Sequence, residues 1–471
     1  MEDSGGFGGG GGGGRGGGGR GRGTSTRDWT KGSLLGNLFG LAWPMMITQA
    51  LSTLGPTIDM IWVGKLGAAS IAGVGISGML VQLVSVGRMG LQMGTRAIVS
   101  RSVGADNEEE ANHVAQQYFV INIAFSLLMA AIGLLFARQL LMLMGLQADV
   151  VVEGAAYLRI QLVGMITMSF QMMGQSLMQA SGDAQTPMRI AIGARLMHIA
   201  LSPLLIFGWG FVPGMGVSGA ALTAVLSQGV AGGLSLWMLY TGRTRLRLTL
   251  RNFSFDGRMI WRIVKIGIPA MINGMERTSA NLLVMWFIVP FGTAAVAAHS
   301  LLERLDRFLH MPGMGMGQAA GVLAGQNLGA KQPERAEKTG WLAAGLFTGA
   351  MFIVSVIIWF WAENIIRLFN SEPELVKIAA TFLRIEIVAF MVFGFVQVLM
   401  QCLNGVGDTW IPMLTTLTTL WGIQIPLAYI LPRTTSLGVL GVRWAIVIGN
   451  VVRAVIYATY FKAGRWKRKQ V

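Results

Sequence analysis

The sequence repeats itself once, in parallel, and that repeat limits what the chain can become. Pro44 and Pro269 each stand inside a helical pattern and lie 225 residues apart (269 − 44). Tyr157-Leu158-Arg159-Ile160 returns at this offset as Phe382-Leu383-Arg384-Ile385. Val103-Gly104-Ala105 returns as Leu328-Gly329-Ala330, and Gly182-Asp183-Ala184-Gln185-Thr186-Pro187-Met188 as Gly407-Asp408-Thr409-Trp410-Ile411-Pro412-Met413. A unit this long is not a solenoid repeat. It predicts two similar apolar lobes related by an axis along a membrane normal. Transporters use this arrangement, with a site between or within the lobes.

Composition places the lobes in a bilayer. Hydrophobic residues make up 53% of the chain and charged residues 13%, against about 25% charged in soluble domains. Mean hydropathy is +0.57. The apolar blocks reach roughly 20 residues each, enough to cross hydrocarbon, where the backbone must satisfy its own hydrogen bonds as helix. The expected fold is an all-α integral membrane protein of twelve transmembrane helices in two parallel, pseudo-symmetric six-helix lobes. An N-lobe over residues 35–240 holds spans at 35–63, 68–94, 114–136, 153–179, 187–208 and 216–240. A C-lobe over 262–461 holds spans at 262–290, 293–318, 339–361, 378–403, 410–431 and 437–461. Residues 1–34 read as a disordered Gly/Arg-rich tail, 241–261 as a linker and 462–471 as a basic tail.

The net charge is +15, and its distribution matters more than its size. Lys and Arg collect in the first tail, in the linker (Arg243, Arg245, Arg247, Arg251, Arg258), in the last tail, and in turns holding Arg96, Arg101, Lys331, Arg335 and Lys338. An even number of crossings puts all of these on one side. The Lys/Arg bias then places both termini in the cytoplasm, in a multi-pass protein of the cell membrane. Anionic lipid headgroups, rather than nucleic acid, are the expected partner of that charge. The tail has no apolar segment of a signal peptide. Cys402 is the only cysteine, so no intramolecular disulfide can form, and no Cys/His spacing suggests a metal site. No P-loop supports ATP-driven transport, and no Ser/His/Asp spacing supports an enzyme.

Ionisable residues inside spans carry the functional signal, because each is costly to hold there. Asp59 is the clearest. It follows Pro56 in the first span and shares a helical stripe with Gln49 and Ser52. Its repeat mate is Val284, so the halves differ in chemistry. Glu276 is the second candidate, in the seventh span with Asn273 one turn away and Arg277 next to it. The eighth span holds Glu303, Arg304, Asp306 and Arg307, and Glu303 with Arg307 has the i, i+4 spacing of a helical ion pair. These charges can also cancel in a network that only fixes packing. His198 and Ser202 share a face of the fifth span, and a histidine titrates near neutral pH. Gln175 and Gln397 are weaker polar candidates. Arg159 and Glu386 lie near outer ends, where snorkelling accounts for them.

With these residues in view, the chain resembles the multidrug and toxic compound extrusion (MATE) family of prokaryotic type, over roughly residues 35–460. The resemblance rests on Trp43-Pro44, Thr57-Ile58-Asp59, Val63-Gly64-Lys65-Leu66-Gly67, Gly94-Thr95-Arg96-Ala97-Ile98-Val99-Ser100 and Ala180-Ser181-Gly182-Asp183. It continues through Leu204-Leu205-Ile206-Phe207-Gly208, Gly216-Val217-Ser218-Gly219-Ala220-Ala221, Gly325-Gln326-Asn327-Leu328-Gly329-Ala330 and Asn404-Gly405-Val406-Gly407-Asp408-Thr409. It implies a V-shaped, twelve-helix antiporter that expels organic, often cationic, compounds against inward H+ or Na+, with Asp59 as the functional acid of the first span. A monomer with no cofactor beyond the coupling ion is expected. Family members often carry Asn and Asp four apart in the fifth span, where this chain has His198 and Ser202. The tenth span lacks a central acid. A histidine can carry a proton but is a poor ligand for a hard cation, which favours H+. A flippase of lipid or lipid-linked oligosaccharide, on a related fold, is the alternative.

Overall fold

A computed structural model describes residues 28–210, 213–251, 253–370 and 372–469. Six crossings come from the first half: Leu34–Val63, Ala68–Gly104, Glu108–Leu143, Ala148–Val163 continued by Met165–Ala180, Gln185–Phe207 and Gly216–Tyr240. Six more come from the second: Gly257–Ile288, Thr293–Gly329, Pro333–Arg367, Pro373–Gly405, Trp410–Thr434 and Val439–Ala463. The protein is thus an all-α, two-lobe membrane protein. Nine of these helices, and the bent fourth span taken as one, are long and apolar enough to cross a bilayer. The seventh and eighth, which carry Glu276, Arg277, Glu303, Arg304, Asp306 and Arg307, fall short of that apolarity.

The repeat extends to the backbone. Asp106 (φ 55°) and Lys331 (φ 59°), two non-glycine residues in the left-handed region, are repeat mates. Such a conformation is uncommon for a residue with a Cβ, so its recurrence at matching turns marks one structure used twice.

Several helices run past their expected ends. The second continues to Gly104, so Arg96 and Arg101, expected in a turn, are helical. The third begins at Glu108, where Asn107 accepts from the Glu110 N–H and three glutamates line the first turn, an arrangement that suits the positive end of a helix. Asp256 caps the seventh span by accepting from the Arg258 and Met259 N–H groups. The helix therefore starts inside the expected linker. The Met259 N–H, followed by His113, holds the Asp256 carboxyl below the usual carboxylate range. The fourth span bends by 46° at Gly164; a Cβ there would lie 2.2 Å from Val225 of the sixth span. The eleventh span contains a π turn at Leu420–Gln424.

The lobes join through repeat-related pairs. The first span packs on the eighth, the second on the seventh, and the second crosses the eighth. At that crossing a Cβ on Gly104 would lie 2.0 Å from the Gln326 carbonyl oxygen, and one on Gly329 would lie 2.1 Å from that of Arg101. Arg101 and Gln326 are repeat mates, so the contact is self-complementary in the manner of a two-fold interface. Gly90 and Gly267, which are not repeat mates, each lie close to the other's backbone oxygen. The contact at Gly104 and Gly329 lies at the end of the molecule that bears both termini.

The described segments nearest the two termini, residues 28–34 and 464–469, dock at this end. Trp29 is buried against Gly182, and Arg335 of the ninth span donates to the Gly32 carbonyl at 2.7 Å. At the other terminus, Trp466 stacks on Phe461, Lys467 pairs with Glu337 at 2.5 Å and Lys469 pairs with Asp408. Arg101 of the N-lobe donates to the Lys469 carbonyl at 2.6 Å. Asp183 and Asp408 lie in repeat-related turns, and each turn offers a socket that a terminal segment fills. Lys467 and Lys469 therefore have carboxylate partners within the protein. Of the expected 1–34 tail, residues 28–34 are packed and 1–27 lie outside the described residues. The linker also docks: Leu246 and Leu248 are buried, and the Thr249 carbonyl accepts from Asn112 and Gln116 of the third span.

Candidate ion and substrate sites

In the N-lobe, packing of the first span on the fifth and sixth brings Asp59 to His198. Asp59 Oδ1 lies 2.8 Å from His198 Nε2, and both residues are 4% exposed. The other ring nitrogen, Nδ1, lies 3.4 Å from Ser227 Oγ of the sixth span. Ser227 Oγ also lies 2.8 Å from the Thr223 carbonyl oxygen and 3.1 Å from that of Ala224. Its hydroxyl proton thus has backbone acceptors, which leaves a lone pair for an Nδ1–H. With Nδ1 protonated, a hydrogen bond between Nε2 and the carboxylate requires one further proton between them. Ser202, one turn beyond His198, is fully buried with its hydroxyl unpartnered.

Two neighbours complete this site. Arg195 rests on Gly55, where a Cβ would lie 2.3 Å from its guanidinium. It acts electrostatically on Asp59, yet no ion pair joins the two. Tyr157, from the fourth span, is a buried neighbour whose hydroxyl accepts from Gln161 at 3.1 Å. Asp59 therefore has a titratable partner and a fixed positive charge nearby, without being locked to that charge.

The C-lobe separates its charges into two clusters. In the first, Glu276 is 7% exposed and neither carboxylate oxygen has a hydrogen-bond partner. Arg453 and Tyr457 of the twelfth span act on it electrostatically. Arg453 instead donates to Thr419 Oγ1 at 2.9 Å and to Asn450 Oδ1 at 3.3 Å, leaving one terminal amine unpartnered. Asn273 turns away to the eleventh span, donating to Thr416 Oγ1 at 2.9 Å and the Pro412 carbonyl at 3.1 Å. Glu276 and Arg453 thus face each other without direct contact, which leaves a carboxylate and a donor free for a ligand or water.

The second cluster is built on Arg443 of the twelfth span. Arg443 pairs with Glu386 of the tenth span, donates towards His299 Nδ1 at 2.6 Å, and covers the Phe382 ring. Glu303 lies 3.9 Å from His299 Nε2 and 3.8 Å from Arg307, and Asp306 has one buried carboxylate oxygen without a partner. Glu386 is 2% exposed, so it does not snorkel: the tenth helix spans Pro373–Gly405 and holds it well inside. A buried pair of this kind is costly to break, because the surviving charge is left alone.

The structure therefore joins Asp59 to His198, with Ser202 beside them, and Glu303 to Arg307. It does not join Glu276 and Arg277 to the eighth-span charges. Arg304 is exposed. Gln49 and Gln175 are half-buried, and the Gln49 carbonyl accepts from Ser52 at 2.7 Å. Arg195, His299, Arg443 and Arg453 were not singled out from sequence. Their signal is position alone: each is an ionisable residue inside an apolar block, as Asp59 is. Among the described residues no group of three or more His, Cys, Asp or Glu side chains is arranged to hold a metal ion.

Comparison with known proteins agrees with this architecture. The MatE family profile matches residues 44–204 and 269–430, once in each lobe. Over 436 residues the chain is 26% identical to the probable multidrug resistance protein YoeA of Bacillus subtilis, covering 91% of this chain and 93% of that one. It is 25% identical over 440 residues to a probable multidrug resistance protein NorM of Thermotoga maritima, covering 92% and 93%. A crystal structure of MATE in the bent conformation superposes with a TM-score of 0.86 at 25% identity, covering 92% of this chain and 96% of that one. With both lobes matched, the chain belongs to the MatE family, the multidrug and toxic compound extrusion transporters.

Proposed function

We propose that this protein exports organic, mainly cationic, compounds by antiport with protons, through alternating access of its two lobes. The buried 2.8 Å contact between Asp59 and His198 carries the proposal. Loaded, the pair holds one proton between Oδ1 and Nε2, as carboxylic acid with neutral imidazole or as carboxylate with imidazolium. Either way its net charge is zero. Unloaded, the pair carries one negative charge, Nε2 keeps its proton, and Ser227 can turn its hydroxyl to Nδ1. An organic cation favours the unloaded state and a proton abolishes it, so the two compete for one charge. The fixed charge of Arg195 shifts both states alike and leaves that difference intact.

Coupling further requires that each ligand favour a different conformation. The crossing of the second and eighth spans, sealed at Gly104 and Gly329, is the element that must open when access switches sides. Sodium is the weaker candidate ion, because an imidazole occupies the place where a hard cation would need oxygen. The Lys/Arg bias of the terminus end supports a plasma-membrane protein with both termini in the cytoplasm. On this account it works as a monomer without a cofactor, its partners being its small-molecule cargo and the surrounding lipid.

The test is export of a fluorescent organic cation from vesicles under an imposed pH gradient. Asp59→Asn keeps the shape and removes the charge, and export should fall at least tenfold with the protein still in the membrane. Undiminished, gradient-driven export by the variant would overturn the assignment. Transfer of a labelled lipid without export of the cation would favour the flippase instead.

A further inference from the structure

The lobes meet around an open cavity of about 710 Å³ at the end of the molecule that bears both termini. Arg101 and Glu110 line it from the N-lobe, and Arg262, Lys265, Trp410 and Lys469 from the C-lobe side. Four basic side chains thus meet one carboxylate. Glu110 pairs with Arg262 at 3.4 Å, and Asp408, outside the lining, pairs with Lys469. Arg101 donates from one amine to the Lys469 carbonyl, while its Nε and its other amine have no acceptor. Among the described residues neither Arg101 nor Lys265 has a carboxylate partner. The cavity therefore keeps two positive charges that its own chain does not pair.

The repeat indicates that this charge is not needed to close the seam between the lobes. At the offset of 225, Arg101, Arg262 and Lys265 correspond to Gln326, Asn37 and Gly40. The symmetry-related side, where the first span packs on the eighth, closes with no basic residue at those positions. The basic set belongs to one side alone. Exposed aromatic rings mark its depth. Trp261 lies one turn before Lys265 and is 62% exposed, and Trp410 on the cavity wall is 47% exposed. Tyr240, at the terminus end of the sixth span, is 65% exposed. Exposed Trp and Tyr at the ends of spans lie at the level of lipid headgroups.

We infer that this cavity binds a phosphate group, and that the group belongs to an anionic lipid headgroup. A guanidinium fork matches phosphate oxygens, and a lysine adds a mobile point charge. Basic pockets between membrane helices hold anionic headgroups, and the cavity is of the size that takes a whole small ligand. A free phosphate ion offers the same chemistry, but the exposed Trp261 and Trp410 set the cavity at the level where headgroups already lie. Because the walls come from both lobes, a bound headgroup ties the lobes together at this end. A membrane poor in anionic lipid removes that tie.

The test uses the purified full chain in a neutral detergent and phosphate-free buffer at constant ionic strength. Phosphatidylglycerol should raise the unfolding temperature along a saturable curve, and phosphatidylcholine should not. Arg262→Gln with Lys265→Gln should raise the half-saturating phosphatidylglycerol concentration about tenfold, as expected for loss of hydrogen bonds to a charged group. Lys338→Gln with Lys462→Gln removes the same charge from exposed positions outside the cavity and should leave that concentration unchanged. Lys265 also reports occupancy directly. Phosphatidylglycerol should slow its acetylation by an amine reagent severalfold and leave Lys338 and Lys462 unaffected. That readout needs no variant and decides the matter if the first double variant does not fold. Inorganic phosphate is the second arm: if it protects Lys265 and the lipid does not, the ligand is the free ion and the lipid assignment falls. Equal loss in both double variants, or no protection of Lys265 by either ligand, would overturn the site.

Discussion

Asp59 and His198 lie 139 residues apart in the chain and 2.8 Å apart in space. Each was visible in the sequence as a costly polar residue within an apolar block, and Ser202 with them, but nothing in the spacing showed that they meet. That depends on how the first span packs against the fifth. The pairing makes a specific demand on His198. Glutamine at this position can hydrogen-bond to Asp59 but cannot take up a proton, so the difference in organic-cation affinity between pH 6 and pH 8 should be smaller in His198→Gln than in the unaltered protein. The unaltered protein should bind the cation several-fold more weakly at pH 6. Binding followed by fluorescence polarisation at the two pH values checks this, and an unchanged pH dependence in the variant would remove His198 from the switch. Glu386 was misread from sequence for a different reason: its distance from the end of an apolar window said nothing about a partner on the twelfth span. Glu386→Gln strands Arg443 in the interior and should cost about 3 kcal/mol of stability, measured by denaturation in detergent. A loss close to zero would show that Arg443 finds another acceptor.

At the scale of helices, the sequence located all twelve crossings but not their ends. Hydropathy reports the stretch suited to hydrocarbon, whereas helices continue into polar ends for as long as caps permit. The second span was expected to stop at 94 and reaches Gly104, and the extra turns carry the crossing with the eighth span. The small residues of that crossing were legible as packing residues; their reciprocal contacts became visible only in three dimensions. Because Gly104 and Gly329 each face a backbone oxygen of the other lobe, at 2.0 and 2.1 Å from an added Cβ, neither neighbour can move aside cheaply. Gly104→Ala and Gly329→Ala should each lower stability by about 1–3 kcal/mol, and by similar amounts, since the sites are repeat mates. Thermal unfolding of the two variants checks the symmetry directly. A large effect at one site with none at the other would show that the crossing is not two-fold.

For the molecule as a whole, the repeat set the architecture and its departures set the chemistry. The backbone recurs through matching turns, whereas Asp59, His198 and Ser202 are not duplicated in the C-lobe, which holds Glu276 facing Arg453 and a separate network on Arg443. The terminal segments add to the seal: Arg335 of the C-lobe holds Gly32, and Arg101 of the N-lobe holds Lys469, so each strap ties one lobe to the other. Opening the terminus end must release both. What drives that opening is competition between cargo and proton for one buried charge, and this can be measured without transport. Purified protein in weakly buffered solution should release protons as an organic cation binds, detected with a pH-sensitive dye, and the Asp59→Asn variant should release none. Cation binding with no proton release from the unaltered protein, or equal release from the variant, would contradict the mechanism.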